Sequence, residues 1–333
     1  MENLQLIVII RLRVINMDKY LTDWIDIIDS MKNDNTYKAS WGKAIIESLL
    51  EKDYTIIKGK IHVEEYFIVK RIMKYYWNLN SYFGLTQGRF LVVEKIIEDM
   101  HNQFYKRRNS DFPVLFGGIE SFINRNSISY ERNLGRLMKA INDNVAYRFL
   151  NYKRKKTNLY KLDLEKKVLI FTKDQLKCIK DNKKILLDLI HYNWTLNIEK
   201  FNLSPKILKK VTNVNLAVSK KKNLDKHFNF LLRYYGDNLV DFYTGEKLDL
   251  DNAKLDHVIP VYYIYSYNMW NLVLTNKKRK KVTIPLEKDI EKLKKRNINI
   301  METFGPKSYP FDGDFDDAYN NNLVDMFYDA LRK

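Results

Sequence analysis

Near its C-terminal end the chain reads Leu255-Asp256-His257-Val258-Ile259-Pro260 and, after a short interval, Trp270-Asn271-Leu272-Val273-Leu274-Thr275. An Asp-His pair closes one apolar run, Pro260 stops it, and a second apolar run opens at Asn271. Successive strand residues point to opposite faces, but where a strand ends the chain bends and both side chains can approach one ion. Aspartate offers a hard oxygen suited to Mg²⁺. Histidine, with an ordinary pKa of about 6.5, lies near the optimum for a general base. Phosphodiester hydrolysis needs both, a metal on the scissile phosphate and a base for the attacking water. An Asp-His dipeptide alone is more often a turn or a hydrogen-bonded histidine, so its surroundings decide the reading.

Upstream stands Phe242-Tyr243-Thr244-Gly245-Glu246-Lys247-Leu248. Taken together, the three segments resemble the HNH endonuclease domain, in particular that of restriction-like HNH proteins with a helical region in front. Met73-Lys74-Tyr75-Tyr76-Trp77-Asn78, Gln87-Gly88, Asn144-Val145-Ala146-Tyr147-Arg148-Phe149 and Glu199-Lys200-Phe201-Asn202-Leu203-Ser204-Pro205 resemble patches of the same family. The resemblance implies an α+β chain: a mainly α-helical N-terminal region followed by a C-terminal HNH ββα-metal domain. It implies Asp256 as a direct ligand of Mg²⁺ (or Mn²⁺), His257 as general base, and Asn271 bracing the loop through backbone hydrogen bonds. Hydrolysis would then proceed without a covalent enzyme intermediate, in restriction or defence.

Three departures from that pattern bear on activity. The family continues from the Leu-Thr into a helix whose Asn is the second metal ligand. Here the sequence is Asn276-Lys277-Lys278-Arg279-Lys280-Lys281-Val282-Thr283-Ile284-Pro285, about three residues or one helical turn short. The ligand position falls near Lys280, whose ammonium cannot bind a cation. Asn276 is the substitute, provided the loop rearranges. Second, Val261-Tyr262 replaces an aromatic-serine pair. Third, the Cys pairs of a structural zinc are missing, with Asp241 and Thr244 nearby instead, so no zinc is expected. The run Lys277, Lys278, Arg279, Lys280 and Lys281 reads as a phosphate-contacting loop beside the site. The alternative is a catalytically impaired nucleic-acid-binding protein on a degenerate HNH scaffold; a weaker one is an RNA-directed nuclease or toxin.

Bulk properties agree with a polyanionic partner. Among 333 residues, 58 Lys and Arg against 41 acidic residues give +17, which favours nucleic acid, read here as double-stranded DNA. Charge alone does not separate DNA from RNA. A single cysteine, Cys178, excludes an intramolecular disulfide and fits a reducing cytoplasm. The apolar stretch 4–10 is too short to span a bilayer, so no membrane partner is expected. One site per chain making a double-strand break favours a homodimer or sequential nicking.

Helical periodicity covers much of 17–205, with helices expected over 63–83, 90–105, 130–150, 182–201 and 224–235 and a short strand at 168–171. Ser204-Pro205 marks a break. Strands are expected at 240–243, 254–259 and 271–275, and then a helix from Pro285 with Thr283 as candidate N-cap. The division is 1–16 extension, 17–205 helical domain, 206–300 nuclease domain and 301–333 acidic tail. The tail carries seven acidic against three basic residues, whereas 277–296 carries ten basic against three acidic. It is therefore expected to fold back over that run or to end as a solvated helix striped by Leu323, Phe327 and Leu331. Tyr75, Tyr76 and Trp77 are read as core, and His62, His101, His191 and His227 as structural.

Overall fold

The computed structural model describes residues 19–31, 35–89, 91–108, 110–153, 155–215, 223–279, 282–304 and 314–332. The extension 1–16, Arg154, the lysines 220–222, and Lys280 and Lys281 lie outside the described residues.

The chain is α+β, mainly helical with small antiparallel sheets. Helices α1 (Lys19–Asp29), α2 (Tyr37–Leu50), α3 (Glu65–Tyr76), α4 (Val92–Tyr105), α5 (Glu120–Arg125), α6 (Ser127–Ile141), α7 (Lys173–Asp181) and α8 (Lys183–Glu199) form the body. Their apolar residues recur every three to four positions. In α1 that spacing buries Leu21, Trp24, Ile25 and Ile28. A capping box starts α7, where Thr172 Oγ1 accepts from the Gln175 amide and the Gln175 side chain accepts from the Thr172 amide.

Strands β1 (Thr55–Ile57), β2 (Lys60–Glu64), β5 (Lys161–Asp163) and β6 (Val168–Phe171) make one antiparallel sheet in the order β1-β2-β6-β5. The two-residue strands β3 (Asn151–Tyr152) and β4 (Lys155–Lys156) pair separately. The strand expected at 168–171 is present, but the helix expected from 63 begins at Glu65. Ile61 and Val63 face the core from β2, paired with Phe171 and Leu169. That partner lies more than a hundred residues away, so a local apolar period could not reveal it.

Tyr75, Tyr76 and Trp77 are fully buried, as expected of core. Helix α3 runs into a π-helical turn, Trp77–Tyr82, whose wider winding turns Asn78 inward. The Asn78 side chain donates to Val214 O at 2.7 Å and accepts from the Phe116 amide at 2.8 Å. A buried polar chain crosses the body. Lys43 Nζ meets Glu47 Oε1 at 2.7 Å and His191 Nε2 at 2.9 Å. Burial, with Lys43 beside it, pushes His191 down to about 3, so it accepts as a neutral ring.

The remainder comprises α9 (Ile207–Thr212), α10 (Asp225–Tyr235), β7 (Ala253–His257), α11 (Val261–Ile264), β8 (Leu272–Asn276), α12 (Glu287–Phe304), α13 (Asp314–Asn320) and α14 (Leu323–Arg332). Strands β7 and β8 form an antiparallel pair with His257 opposite Leu272 and Ala253 opposite Asn276. The expected strand at 240–243 is reduced to one bridge, Val240 to Lys247. Helix α12 begins at Glu287, later than Pro285 suggested, and Thr283 does not cap it; the Thr283 carbonyl accepts from Tyr262 Oη instead.

Helix α12 lies on β8 and is fastened to it. Arg296 donates to Leu272 O and Trp270 O, each at 2.9 Å, and Asn297 donates to Trp270 O at 3.0 Å. The acidic tail folds back here. Asp325 pairs with Lys294 at 2.9 Å, Phe327 stacks on Trp270 at 6.2 Å, and Asp314 accepts from the Met269 amide and the Asn268 side chain. Leu323, Phe327 and Leu331 pack against the core. No helix among the described residues is long and apolar enough to cross a membrane.

Candidate functional site

Asp256 and His257 close β7, with Pro260 three residues further on. Asp256 is 9% exposed, and its Oδ1 accepts from the His257 amide at 2.9 Å. The His257 ring is half-buried and meets Tyr267 edge-on at 5.3 Å. The loop leaving this pair is tied down by Asn271, itself 1% exposed. Asn271 Nδ2 donates to Ile259 O at 2.7 Å, Ile259 N donates to Asn271 Oδ1 at 2.8 Å, and Val258 N donates to Asn271 O at 3.1 Å. One side chain thus satisfies both backbone groups of a buried residue just past the strand end. Asn271 adjoins the Asp-His pair without reaching past it.

Asn276 lies elsewhere. Asp256 is opposite Val273, and Asn276 is three residues further along β8, opposite Ala253. That spacing is about 10 Å along the hairpin, and an odd offset puts the two side chains on opposite faces. Asn276 Oδ1 accepts from the Lys278 amide at 2.9 Å, closing a local turn. The structure does not bring Asn276 to Asp256, because the pleat of β8 turns it away.

The basic loop beyond β8 is pinned from beneath. Lys277 N donates to Asn252 O at 2.8 Å and its Nζ to Asp251 O at 2.6 Å. Lys254 Nζ reaches Lys277 O at 3.3 Å and Arg279 O at 3.1 Å. Lys277 and Lys278 are exposed, whereas Arg279 lies flat on Tyr243, its guanidinium carbon 3.3 Å from the ring centroid. Burial raises the Tyr243 hydroxyl, Asp256 and Asp289 raise it further, and Arg279 opposes them. The Tyr243 hydroxyl therefore feels the charges of Asp256, Asp289 and Arg279 together. Lys292, one turn after Asp289 in α12, lies over Phe242 at 5.2 Å.

Sequence reasoning passed over two positioning residues. Lys254, which holds the basic loop, looks like any other charge on a strand. In the sequence Asp241 stands out only as lying near where the resemblance would put the missing Cys pairs. Its Oδ1 accepts from Tyr243 N at 2.8 Å and Thr244 N at 3.0 Å, and its Oδ2 accepts from Thr275 Oγ1 and Asn276 N at 2.7 Å each. Burial acts to raise this carboxyl, but the four donors together hold it below the ordinary value. The turn closes at Gly245, whose φ of +77° suits glycine, with its amide donating to Asp241 O at 2.8 Å. Asp241 thereby organises this turn against the end of β8. An aspartate followed within four residues by Gly245, both favoured in turns, was the available signal.

For a metal, the donor set is Asp256, with His257 beside it. Among the described residues no group of three or more His, Cys, Asp or Glu is placed to hold an ion. One buried carboxylate fits Mg²⁺ where water and substrate phosphate complete the shell. No family model matches the chain, and no curated protein or solved structure is significantly similar to it.

Proposed function

We propose that this chain is a DNA endonuclease of the HNH type, hydrolysing phosphodiester bonds with His257 as general base. The observation that carries the reading is the braced strand end: Asp256 and His257 leave β7 into a loop held by Asn271, while a basic loop held by Lys254 leaves the other end of the hairpin. His257 takes the proton of the attacking water, and Asn271 keeps the strand end from moving as it does so. Lys277 and Lys278 hold the flanking phosphates of double-stranded DNA, and Arg279, immobilised on Tyr243, adds a fixed positive charge to the same loop. Asp256 would hold a divalent cation, which when bound would supply charge stabilisation for the phosphate. Two chains acting together, or successive nicks, give a double-strand break. The biological role we propose is restriction or defence.

One observation favours a second reading, a binding protein without turnover: Asn276 is turned from Asp256 and engaged in its own turn. Plasmid nicking with Mg²⁺ and then Mn²⁺, run beside His257→Ala and Asp256→Asn, separates the two. Metal-dependent nicking by the natural sequence, abolished in both variants, is the expected result. Salt-sensitive DNA binding by all three without any nicking would replace the nuclease with the binding protein.

A further inference from the structure

The segment that joins the basic loop to α12 inverts the usual rule of burial. Val282, Ile284 and Leu286 are 42%, 49% and 58% exposed, while Pro285, between the last two, is buried and Thr283 half-buried. Three aliphatic side chains at alternate positions therefore stand in water, immediately after five consecutive cations in the sequence. Single exposed apolar residues are ordinary, but a run of three on one short segment marks a contact surface.

The segment is held firmly from behind. Tyr262 Oη donates to Thr283 O at 3.0 Å, and the Tyr262 ring packs on Tyr82 and Phe112 at 6.4 and 5.5 Å. Tyr262 lies in α11, the short helix that follows Pro260, so the apolar row is anchored to the stretch that leaves Asp256 and His257. Exposed Lys277 and Lys278 precede it and exposed Lys288 follows it. Such a surround suits a polyanion, not an apolar protein face.

We infer that Ile284 and Leu286, with Val282 behind them, form a wedge that enters between adjacent base pairs of the bound duplex while the flanking cations hold the phosphates. This rests on the reading that the site takes double-stranded DNA. Apolar wedges of this kind unstack a base step and kink the helix, most easily at pyrimidine–purine steps. A kink there would turn one phosphate out of the regular backbone path.

The test is permanganate footprinting of unstacked thymines on an AT-rich duplex, with the metal removed by EDTA so that no strand is cut. Binding is measured in parallel over a range of salt. The natural sequence should produce a discrete permanganate-reactive step. Ile284→Ala with Leu286→Ala should abolish the reactivity and weaken binding roughly tenfold, the loss of two buried side chains offset by restored stacking. Its salt dependence should stay unchanged, because no phosphate contact is lost. Lys277→Gln with Lys278→Gln should do the reverse, lowering the salt dependence while the bound complex keeps its reactive step. Salt-dependent binding without a reactive step, or with one that the apolar variants leave intact, would overturn the wedge and leave the DNA reading standing. No binding to duplex DNA at all would overturn both. A dimer that the apolar variants split, with no footprint, would assign the row to a second copy of the chain.

Discussion

Replacing Lys210 with methionine should change how stability depends on pH, in a direction set by its surroundings. Lys210 is fully buried between the helical body and the hairpin module. Its ammonium donates to Ser204 Oγ at 2.7 Å and to Tyr263 O, and it faces the rings of Phe83 and Tyr263 at 5.7 and 5.3 Å. Burial lowers its pKa from 10.5 to about 7. Below pH 7 both folded and unfolded chains carry the proton, and the full cost of the buried charge is present. Between 7 and 10.5 the unfolded chain holds a proton that the folded chain has released, so stability rises with pH. The slope for one proton is about 1.4 kcal/mol per pH unit, and the whole window amounts to about 5 kcal/mol as an upper bound. Methionine keeps the length and apolar stem without titrating, so subtracting its curve isolates this group. Urea unfolding followed by tryptophan fluorescence, at constant ionic strength from pH 6 to 9.5, gives the two curves. Their difference should be flat below about pH 6.5 and should climb in favour of the natural sequence above 7.5. Parallel curves across the range would refute the buried-ammonium argument.

Asn271→Ala removes the reciprocal bonds to Ile259 and strands a buried amide and carbonyl. A loss of about 2–4 kcal/mol is expected in the same unfolding assay, with nicking abolished and DNA binding reduced much less. Asp241→Asn cannot accept at both oxygens from four donors and should cost about 3 kcal/mol at neutral pH. Because the folded carboxyl lies below its ordinary value, that contribution is present above the unfolded pKa and disappears as pH falls through the folded one. The variant's acid-unfolding limb, read by circular dichroism, should therefore be flatter. Phe327→Ala should lower the melting temperature and shift Trp270 emission to the red as the ring stack is lost. Asp325→Asn, which breaks a pair at the surface, should change stability by no more than about 1 kcal/mol.

The hairpin was legible because its two strands announce themselves locally. Apolar runs lie on either side of Pro260, and the strands expected at 254–259 and 271–275 appear as Ala253–His257 and Leu272–Asn276. The long helices were legible for the same reason, since their apolar spacing is independent of what they pack against. Strand β2 was not, because Ile61 and Val63 abut the helical run of α3 and acquire strand geometry only by pairing with β6. Strand β5, rich in charge, had no pattern to read. The stretch 240–243 has strand-like residues, but the Asp241 carboxylate captures the Tyr243 and Thr244 amides and turns the chain instead. At the site, the bracing position of Asn271 could be expected from the family resemblance. The distance between Asn276 and Asp256 could not, since it depends on a register that a one-residue slip would invert. Lys254 was invisible because its partners are backbone carbonyls, which carry no residue identity.

The contact between Asp314 and the Met269 amide matters to anyone who shortens this chain. The charge reversal near residue 301 invites a cut there, on the assumption that an acidic appendage is being removed. Yet Asp314 grips the backbone two residues before Asn271, and Phe327 covers Trp270, whose carbonyl is also the anchor of Arg296 and Asn297. The last helices are thus a buttress for the Asn271 end of the loop that follows Asp256 and His257. A fragment ending at 300 would lose its function through slackness at the far end of that loop, and the missing negative charge would be wrongly blamed.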